Sequence, residues 1–478
     1  LLTPDVEGFG AGYADADAAP AGPDSLREKE NLAVENGKVM NRWLVVVGAV
    51  FIQLCLGAIY AWSVFTKKLT LAEADGGYGF TATESQWIFS AGLATFALVM
   101  LFAGRWQARI GPRKVALAGG VVLGVGYILG GLVGKGFWPQ LLCIGIVGGA
   151  GIGLAYVVPI AVGVKWFPDK KGMISGLAVA GFGFGATIWV KLGDSWFGGL
   201  LNTTNVFGLP GVQSVFFIYG VVFLLLVVLA SVVMVNPPAG WRPEGWNPEA
   251  AAGGANTTGA LDLDAGQMAG TPQYWGLLLM FTGSAMAGLM VIGCIKLFGI
   301  DSLQANSIVD DAAGAGKIAG TAMALYAILN GLGRIIWGII SDKIGRKAAL
   351  FLMCLLQGVM MLLFFKVGGT RVGLIVGACV IGFNFGGNFA LFPAATADFF
   401  GNKNLGTNYP WVFLAYGIAG IVGPQIAGYF KDNAAAAGVD AWKTPFIIAG
   451  VACLVAAALA LMLRAPRPKI VVPVAQPV

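Results

Sequence analysis

Inside a long apolar run stands one arginine. The stretch YAILNGLGRIIWGIISDKIGRK, from Tyr326 to Lys347, begins as an apolar segment and ends as a charged loop, and Arg334 lies within the apolar part. Asp342, the first charge of the loop, follows eight residues later. In a helix rising ~1.5 Å per residue, that sets Arg334 roughly 12 Å below the surface, near the middle of a ~30 Å hydrocarbon layer. An arginine at that depth is costly and faces a cavity or pathway rather than lipid. Guanidinium stays charged at any working pH and grips a carboxylate through two parallel hydrogen bonds, a pairing that strengthens in a low-dielectric cavity. Tyr326, Asn330, Arg334 and Gly338 follow one another at four-residue spacing and form one polar stripe. A structural arginine bonded to backbone carbonyls is the alternative reading.

Other polar and aromatic residues are candidates to line the same cavity. Gln53, Gly57 and Tyr60 share a face of one apolar run, Tyr156 lies near Pro159 in another, and Phe182 stands within GFGFG. Asn384 and Asn388 are spaced i, i+4 with Phe385 and Phe389 interleaved, and Phe413 and Tyr416 fall in a later run. Aromatic walls exclude water, and tyrosine adds a hydroxyl donor. For any one of them, ordinary helix packing is the competing explanation.

The elements that must hold these residues are membrane helices. The chain is 57% hydrophobic and 11% charged, about half the charge of a soluble domain. Apolar runs recur at about 43–66, 85–104, 115–134, 138–164, 173–192 and 213–235, then 273–297, 318–341, 348–366, 371–396, 407–430 and 443–463. Each is near the ~20 residues a spanning helix needs, and too long for a barrel strand. The 73 glycines suit close helix packing in lipid. The expected fold is an all-α membrane protein of twelve transmembrane helices in two six-helix halves. Residues 1–39 are expected to be a disordered tail, with Met40 a natural start on one reading; 40–235 is the first half, 236–272 a Pro/Gly/Asn-rich linker, 273–465 the second half and 466–478 a tail.

Lysines and arginines set the expected orientation. Arg105, Arg109, Arg113 and Lys114 follow the second run, Lys165, Lys170 and Lys171 the fourth, Lys343, Arg346 and Lys347 the eighth, and Arg464, Arg467 and Lys469 the twelfth. All lie on one side, so both termini and the linker are expected in the cytoplasm. Lys191 and Lys296, late in outward-running spans, are read as snorkelling to the outer surface. The net charge of +6 is topological, and no nucleic-acid partner is expected. The six cysteines (Cys55, Cys143, Cys294, Cys354, Cys379, Cys453) fall in apolar runs as packing residues, and histidine is absent. No metal or cofactor is expected. With neither a phosphate loop nor an appended soluble domain, an enzyme is not expected either.

The halves repeat. An offset of 234 carries Gly104 to Gly338, Arg109 to Lys343, Gly111 to Gly345, Gly153 to Gly387, Pro159 to Pro393 and Gly172 to Gly406. Two homologous six-helix halves in parallel repeat are the architecture of a large transporter class. By the same offset Met100 answers to Arg334, so the buried charge was added to one half only.

At its loops the chain resembles the major facilitator superfamily, whose motif is roughly G-x-x-x-D-[RK]-x-G-[RK]-[RK]. Gly338, Asp342, Lys343, Gly345, Arg346 and Lys347 fit it, whereas Gly104, Arg105, Arg109, Gly111 and Arg113 carry Ala108 in place of the aspartate. The motif is a gate: the aspartate caps a helix or pairs with arginine, and the basic residues hold that face shut. Within the superfamily, NRWLVVVGAVFIQLCLGAIYAWSVF from Asn41, KWFPDKKG from Lys165, TPQYW from Thr271, NFALFPAATADFFG from Asn388 and NYPWVFLAYGIAGIVGP from Asn408 resemble the oxalate/formate antiporter family, across essentially 41–465. That resemblance implies secondary transport of small carboxylates across a bacterial or archaeal cytoplasmic membrane, by a monomer. It implies a substrate-binding Arg334, as in the related monocarboxylate transporters, and an aromatic cage of Tyr60, Tyr156, Phe182, Phe385, Phe389 and Phe413.

Two departures from the resemblance bear on substrate and coupling. The oxalate carrier has a second cation, a lysine, where this chain has Tyr416. One cation suits one carboxylate, because a dianion would leave a charge without a partner, at a cost of several kcal/mol. A monocarboxylate such as formate, acetate, lactate, pyruvate or glycolate is therefore expected, with a sugar, drug or larger organic anion the alternative cargo. The monocarboxylate transporters place an aspartate where this chain has Asn330, which cannot titrate. Anion exchange or proton symport with the proton on the substrate, or through an edge group such as Glu84, is expected.

Overall fold

The computed structural model describes residues 34–35, 38–167, 171–238, 241–243, 262–401, 404–433 and 435–464. Among these, twelve helices are long and apolar enough to cross a membrane: α1 (Arg42–Thr70), α2 (Ala82–Ile110), α3 (Pro112–Leu132), α4 (Phe137–Trp166), α5 (Lys171–Asp194), α6 (Val212–Ser231), α7 (Pro272–Ala305), α8 (Ala312–Ile344), α9 (Arg346–Val367), α10 (Arg371–Phe400), α11 (Leu405–Asn433) and α12 (Ala436–Met462). The loops after α2 and α8 lie at one end of the bundle, the motif end; the opposite end is the far end.

Local chemistry fixes the helix ends. Thr81 and Glu84 form a reciprocal capping box at the start of α2. Glu84 is thus occupied in capping. Gly111 and Gly345 end α2 and α8 at φ values of +88° and +85°, a conformation that an L side chain resists, and the next helix begins at once. These two turns, 234 residues apart, give the repeat its structural form. Inside the bundle α1 tightens to a 3₁₀ turn at Gly57–Ala61, beside Tyr60. There a β-carbon on Gly57 would run into the Phe182 carbonyl, so glycine lets α1 and α5 touch backbone to backbone.

The halves meet along two seams, α2 against α11 and α5 against α8, while α3 with α6 and α9 with α12 form the flanks. Those flanks expose Val121, Leu229, Leu356 and Val455, as lipid contact requires. Polar contacts between the halves gather toward the far end. Asp432 on α11 accepts from the N–H groups of Ala82 and Thr83 at 2.9 and 2.7 Å. Gln86 Nε2 donates to the Gly293 carbonyl at 3.0 Å, and Thr187 Oγ1 to the Ala324 carbonyl at 3.0 Å.

Three expectations need correction or restriction. Lys296 does not reach the surface: it is 4% exposed and forms an ion pair with Asp194 across the seam between halves. The cause is tertiary, since α5 ends in a carboxylate just where α7 carries the lysine. Lys191 is half-buried and donates to Thr321 Oγ1 at 3.2 Å. Residues 34–39, expected to lack structure, contain the antiparallel pair Val34–Glu35 with Lys38–Val39. The rest of the N-terminal tail, most of the linker, and the tail at 466–478 lie outside the described residues. Where described, the linker docks: the Leu263 N–H donates to the Phe400 carbonyl at 3.0 Å, and its own carbonyl accepts from Asn404 and Asn408.

Candidate binding site around Arg334

Arg334 is 3% exposed, at the seam of α8 with α5. Asn330, one turn earlier, turns its Oδ1 to the guanidinium and accepts from Nε at 3.3 Å and from Nη2 at 3.1 Å. Nη1 donates across the seam to the Val179 carbonyl at 2.9 Å. Among the described residues Arg334 makes no ion pair, so its protein partners are all neutral. One backbone carbonyl is a partial anchor, not the full set a purely structural arginine would gather.

Rings supply the rest of the shell. The guanidinium carbon lies 4.0 Å from the centroid of Phe389 and 5.7 Å from that of Phe182. A desolvated cation on a ring face gains about 2 kcal/mol, which offsets part of the cost of burying the charge. The hydroxyls of Tyr60 and Tyr156 lie beside the guanidinium. Tyr60 packs edge-on to Phe182 at 4.8 Å and tilted to Phe385 at 5.8 Å. Phe413 stacks on Tyr416 at 4.9 Å, and Tyr416 meets Phe389 at 5.6 Å. The Tyr416 hydroxyl donates to the Tyr60 hydroxyl at 2.9 Å, joining α11 to α1. Gln53 buttresses this wall by donating to the Tyr156 carbonyl at 3.0 Å.

Nine of the eleven binding residues expected from sequence thus come together: Arg334, Asn330, Tyr60, Tyr156, Phe182, Phe385, Phe389, Phe413 and Tyr416. Asn384 and Asn388 are buried on α10, each next in sequence to a wall phenylalanine, and neither hydrogen-bonds Arg334 among the described residues. Asn388 Nδ2 donates to the Phe385 carbonyl at 3.0 Å, and the Asn384 amide is buried without a hydrogen bond among the described residues.

One wall residue escaped the sequence reading. Phe96 on α2 lies 5.0 Å from Tyr156, 5.4 Å from Phe413 and 5.7 Å from Tyr416. The repeat offset held a signal for it, since 234 residues after Phe96 comes Asn330.

At the gate motif, Arg346 Nη1 bonds Asp342 and Ser341 at 2.7 Å each, and Nε bonds Asp398 at 3.0 Å. Asp398, in the ADFF stretch ending α10, is a second residue not anticipated. Both ion pairs stay within the second half and are partly exposed, so each contributes little alone. Arg105, Arg109, Lys343 and Lys347 are exposed and Arg113 half-buried. Gly104 and Gly338 sit where their helices approach α11 and α10.

Twelve helices able to cross a membrane, in two halves that meet around a buried arginine, define a multi-pass membrane protein. The chain belongs to the Major Facilitator Superfamily, whose profile matches residues 42–315 and 303–477. It is 32% identical over 384 residues to the uncharacterized MFS-type transporter YhjX of Escherichia coli, covering 80% of this chain and 86% of that one. It is 26% identical over 427 residues to the oxalate:formate antiporter of Oxalobacter formigenes, covering 89% and 92%. Among solved structures, an inward-facing, unoccupied bacterial homolog of the human lysosomal transporter Spinster aligns with a TM-score of 0.59 at 15% identity, over 88% of this chain and 96% of that one, a likeness of fold. The chain is therefore a transporter of the major facilitator type rather than an enzyme.

Proposed function

We propose that this carrier moves small monocarboxylates, of the class of formate, acetate, lactate, pyruvate and glycolate, by alternating access about Arg334. The observation that carries the reading is the neutral shell of that one buried cation. Asn330, the Val179 carbonyl and aromatic rings surround it, and Tyr416 bonds Tyr60 where a second cation would stand. A single carboxylate balances the site's charge, whereas a dianion would leave one charge buried without a partner. The oxalate:formate antiporter among its relatives supports a small-carboxylate cargo.

Arg334 binds the carboxylate by two parallel hydrogen bonds, Tyr60 and Tyr156 add hydroxyl donors, and the rings exclude water. Exchange of one anion for another needs no titratable group. Symport needs only that the proton travel on the acid. The basic loops of the motif end support a cytoplasmic face there, in a bacterial or archaeal cytoplasmic membrane with both termini inside, the carrier acting as a monomer. Arg334→Ala, reconstituted in proteoliposomes, should abolish counterflow of labelled monocarboxylates. Unchanged exchange would remove the centre of the proposal.

A further inference from the structure

The binding site uses one cation, yet four more gather at the far end. Lys296 on α7 is buried against Asp194, the last residue of α5. Lys67 on α1 donates to the Ala312 carbonyl at 3.3 Å. Lys67 Nζ and Lys296 Cε come within 3.4 and 3.5 Å of where a β-carbon on Gly316 would stand, so the two side chains converge on one spot of α8. One turn on, a β-carbon at Gly320 would run into the Asp194 carboxylate. Two bare positions of α8 thus form the floor of a charged nest. Lys68 and Lys191 add charge from α1 and α5, and Asp311 at the rim is the other carboxylate in reach of Lys67. Four lysines at this end against two carboxylates, Asp311 and the part-buried Asp194, leave a positive excess.

The nest is separate from Arg334. Gly320 precedes Arg334 by fourteen residues, roughly 21 Å along a helix, too far for one small acid to touch both. It also straddles the seam, with Asp194 in the first half and Lys296 in the second. Any motion that opens the far end draws them apart. A buried ammonium stripped of its partner is unstable by several kcal/mol, unless another anion replaces the one removed.

We propose that Lys296 and Lys67 form a second carboxylate-binding station at the far end, held by Asp194 when that end is shut and by the transported anion when it opens. The proposal rests on the monocarboxylate reading and on the orientation that puts the far end outside. On closure Asp194 returns to Lys296 and displaces the anion toward Arg334. The positive field also concentrates anions at the mouth, an effect that salt screens.

The test is sided. Right-side-out and inside-out membrane vesicles containing the carrier are assayed for exchange of labelled formate, acetate or lactate, with the opposite face saturated. The double variant Asp194→Asn with Lys296→Met removes both charges and leaves neither of the pair stranded. Its KM at the outer face should rise about tenfold, as expected for the loss of one charge-assisted hydrogen bond to the anion, with the inner KM unchanged. Asp194→Asn alone, which releases Lys296, should lower the outer KM, and added salt should erase that gain. A latch without an anion role would change the maximal rate on both faces and leave each KM alone; that result overturns the station, as does an equal rise on both faces. If the unaltered carrier exchanges none of these acids, the monocarboxylate reading falls and the station with it. If it exchanges them and the double variant matches it, the station alone falls.

Discussion

Replacing Tyr416 by lysine should change the class of acid the carrier accepts. Tyr416 stacks on Phe413 at 4.9 Å, and its hydroxyl bonds Tyr60 at 2.9 Å. The substitution forfeits that hydrogen bond, about 1 kcal/mol. It places a second cation in the wall around Arg334. An ammonium ~4 Å from a second carboxylate gains about 4 kcal/mol at an effective dielectric of ~20. Dehydrating the ammonium as the rings close takes back about half of that. The remaining ~2 kcal/mol corresponds to roughly a thirtyfold shift of preference from monocarboxylate to dicarboxylate. A monocarboxylate, by contrast, would leave the new charge unpaired, so its exchange should fall. The assay is counterflow of labelled formate and labelled oxalate in proteoliposomes, with thermal melting to confirm folding. Tyr416→Phe is the control: it keeps the ring, loses only the hydroxyl, and should retain monocarboxylate exchange within about fivefold. A folded Tyr416→Lys carrier that exchanges formate as before and takes no oxalate would refute the charge-matching argument.

Asn330→Asp should impose a pH dependence on exchange. The new carboxylate would stand where the amide oxygen now accepts from Nε and Nη2 of Arg334. Ionised, it competes with substrate; protonated, it releases the guanidinium. Exchange should fall at neutral pH and recover on acidification, and a flat pH profile would sink the idea. Gly57→Ala should destabilise the carrier by about 1–3 kcal/mol through overpacking, read as a lower melting temperature in detergent, because its methyl meets the Phe182 carbonyl. Gly176→Ala, whose nearest neighbour is Ile335 at 3.9 Å, should melt within about 0.5 kcal/mol of the parent.

Much of this was legible in the sequence because membrane constraints are local. Twelve apolar runs, two gate loops at one offset and a lone midspan arginine each declare themselves within about twenty residues. The aromatic wall was legible by resemblance more than by periodicity. What escaped was set by packing. Lys296 reads as an ordinary late-span lysine until Asp194, 102 residues away, is brought against it. Asn384 and Asn388 share i, i+4 spacing with the phenylalanines beside them, yet neither amide hydrogen-bonds the guanidinium among the described residues. Phe96 is one apolar residue among many in α2, and only its place in the repeat marks it.

The position of Arg334 suggests how binding can act on shape. One Nη1 donor is spent on the Val179 carbonyl of α5, across the seam. Nε and one Nη2 donor are spent on Asn330, inside its own helix. These contacts use three of the five guanidinium N–H donors and leave one on Nη1 and one on Nη2 for a carboxylate. If binding there swings Nη1 off the Val179 carbonyl, a hydrogen bond between the halves is exchanged for one to substrate. Binding then loosens α5 from α8 at the middle of the bundle, while the far end stays closed through Asp432, Gln86 and Thr187. The same helix ends at Gly345, beside the Arg346 contacts with Asp342 and Asp398. Load and gate are therefore joined by one rigid element. The weakness of the exposed gate pairs is what allows a gain of a few kcal/mol at Arg334 to move them.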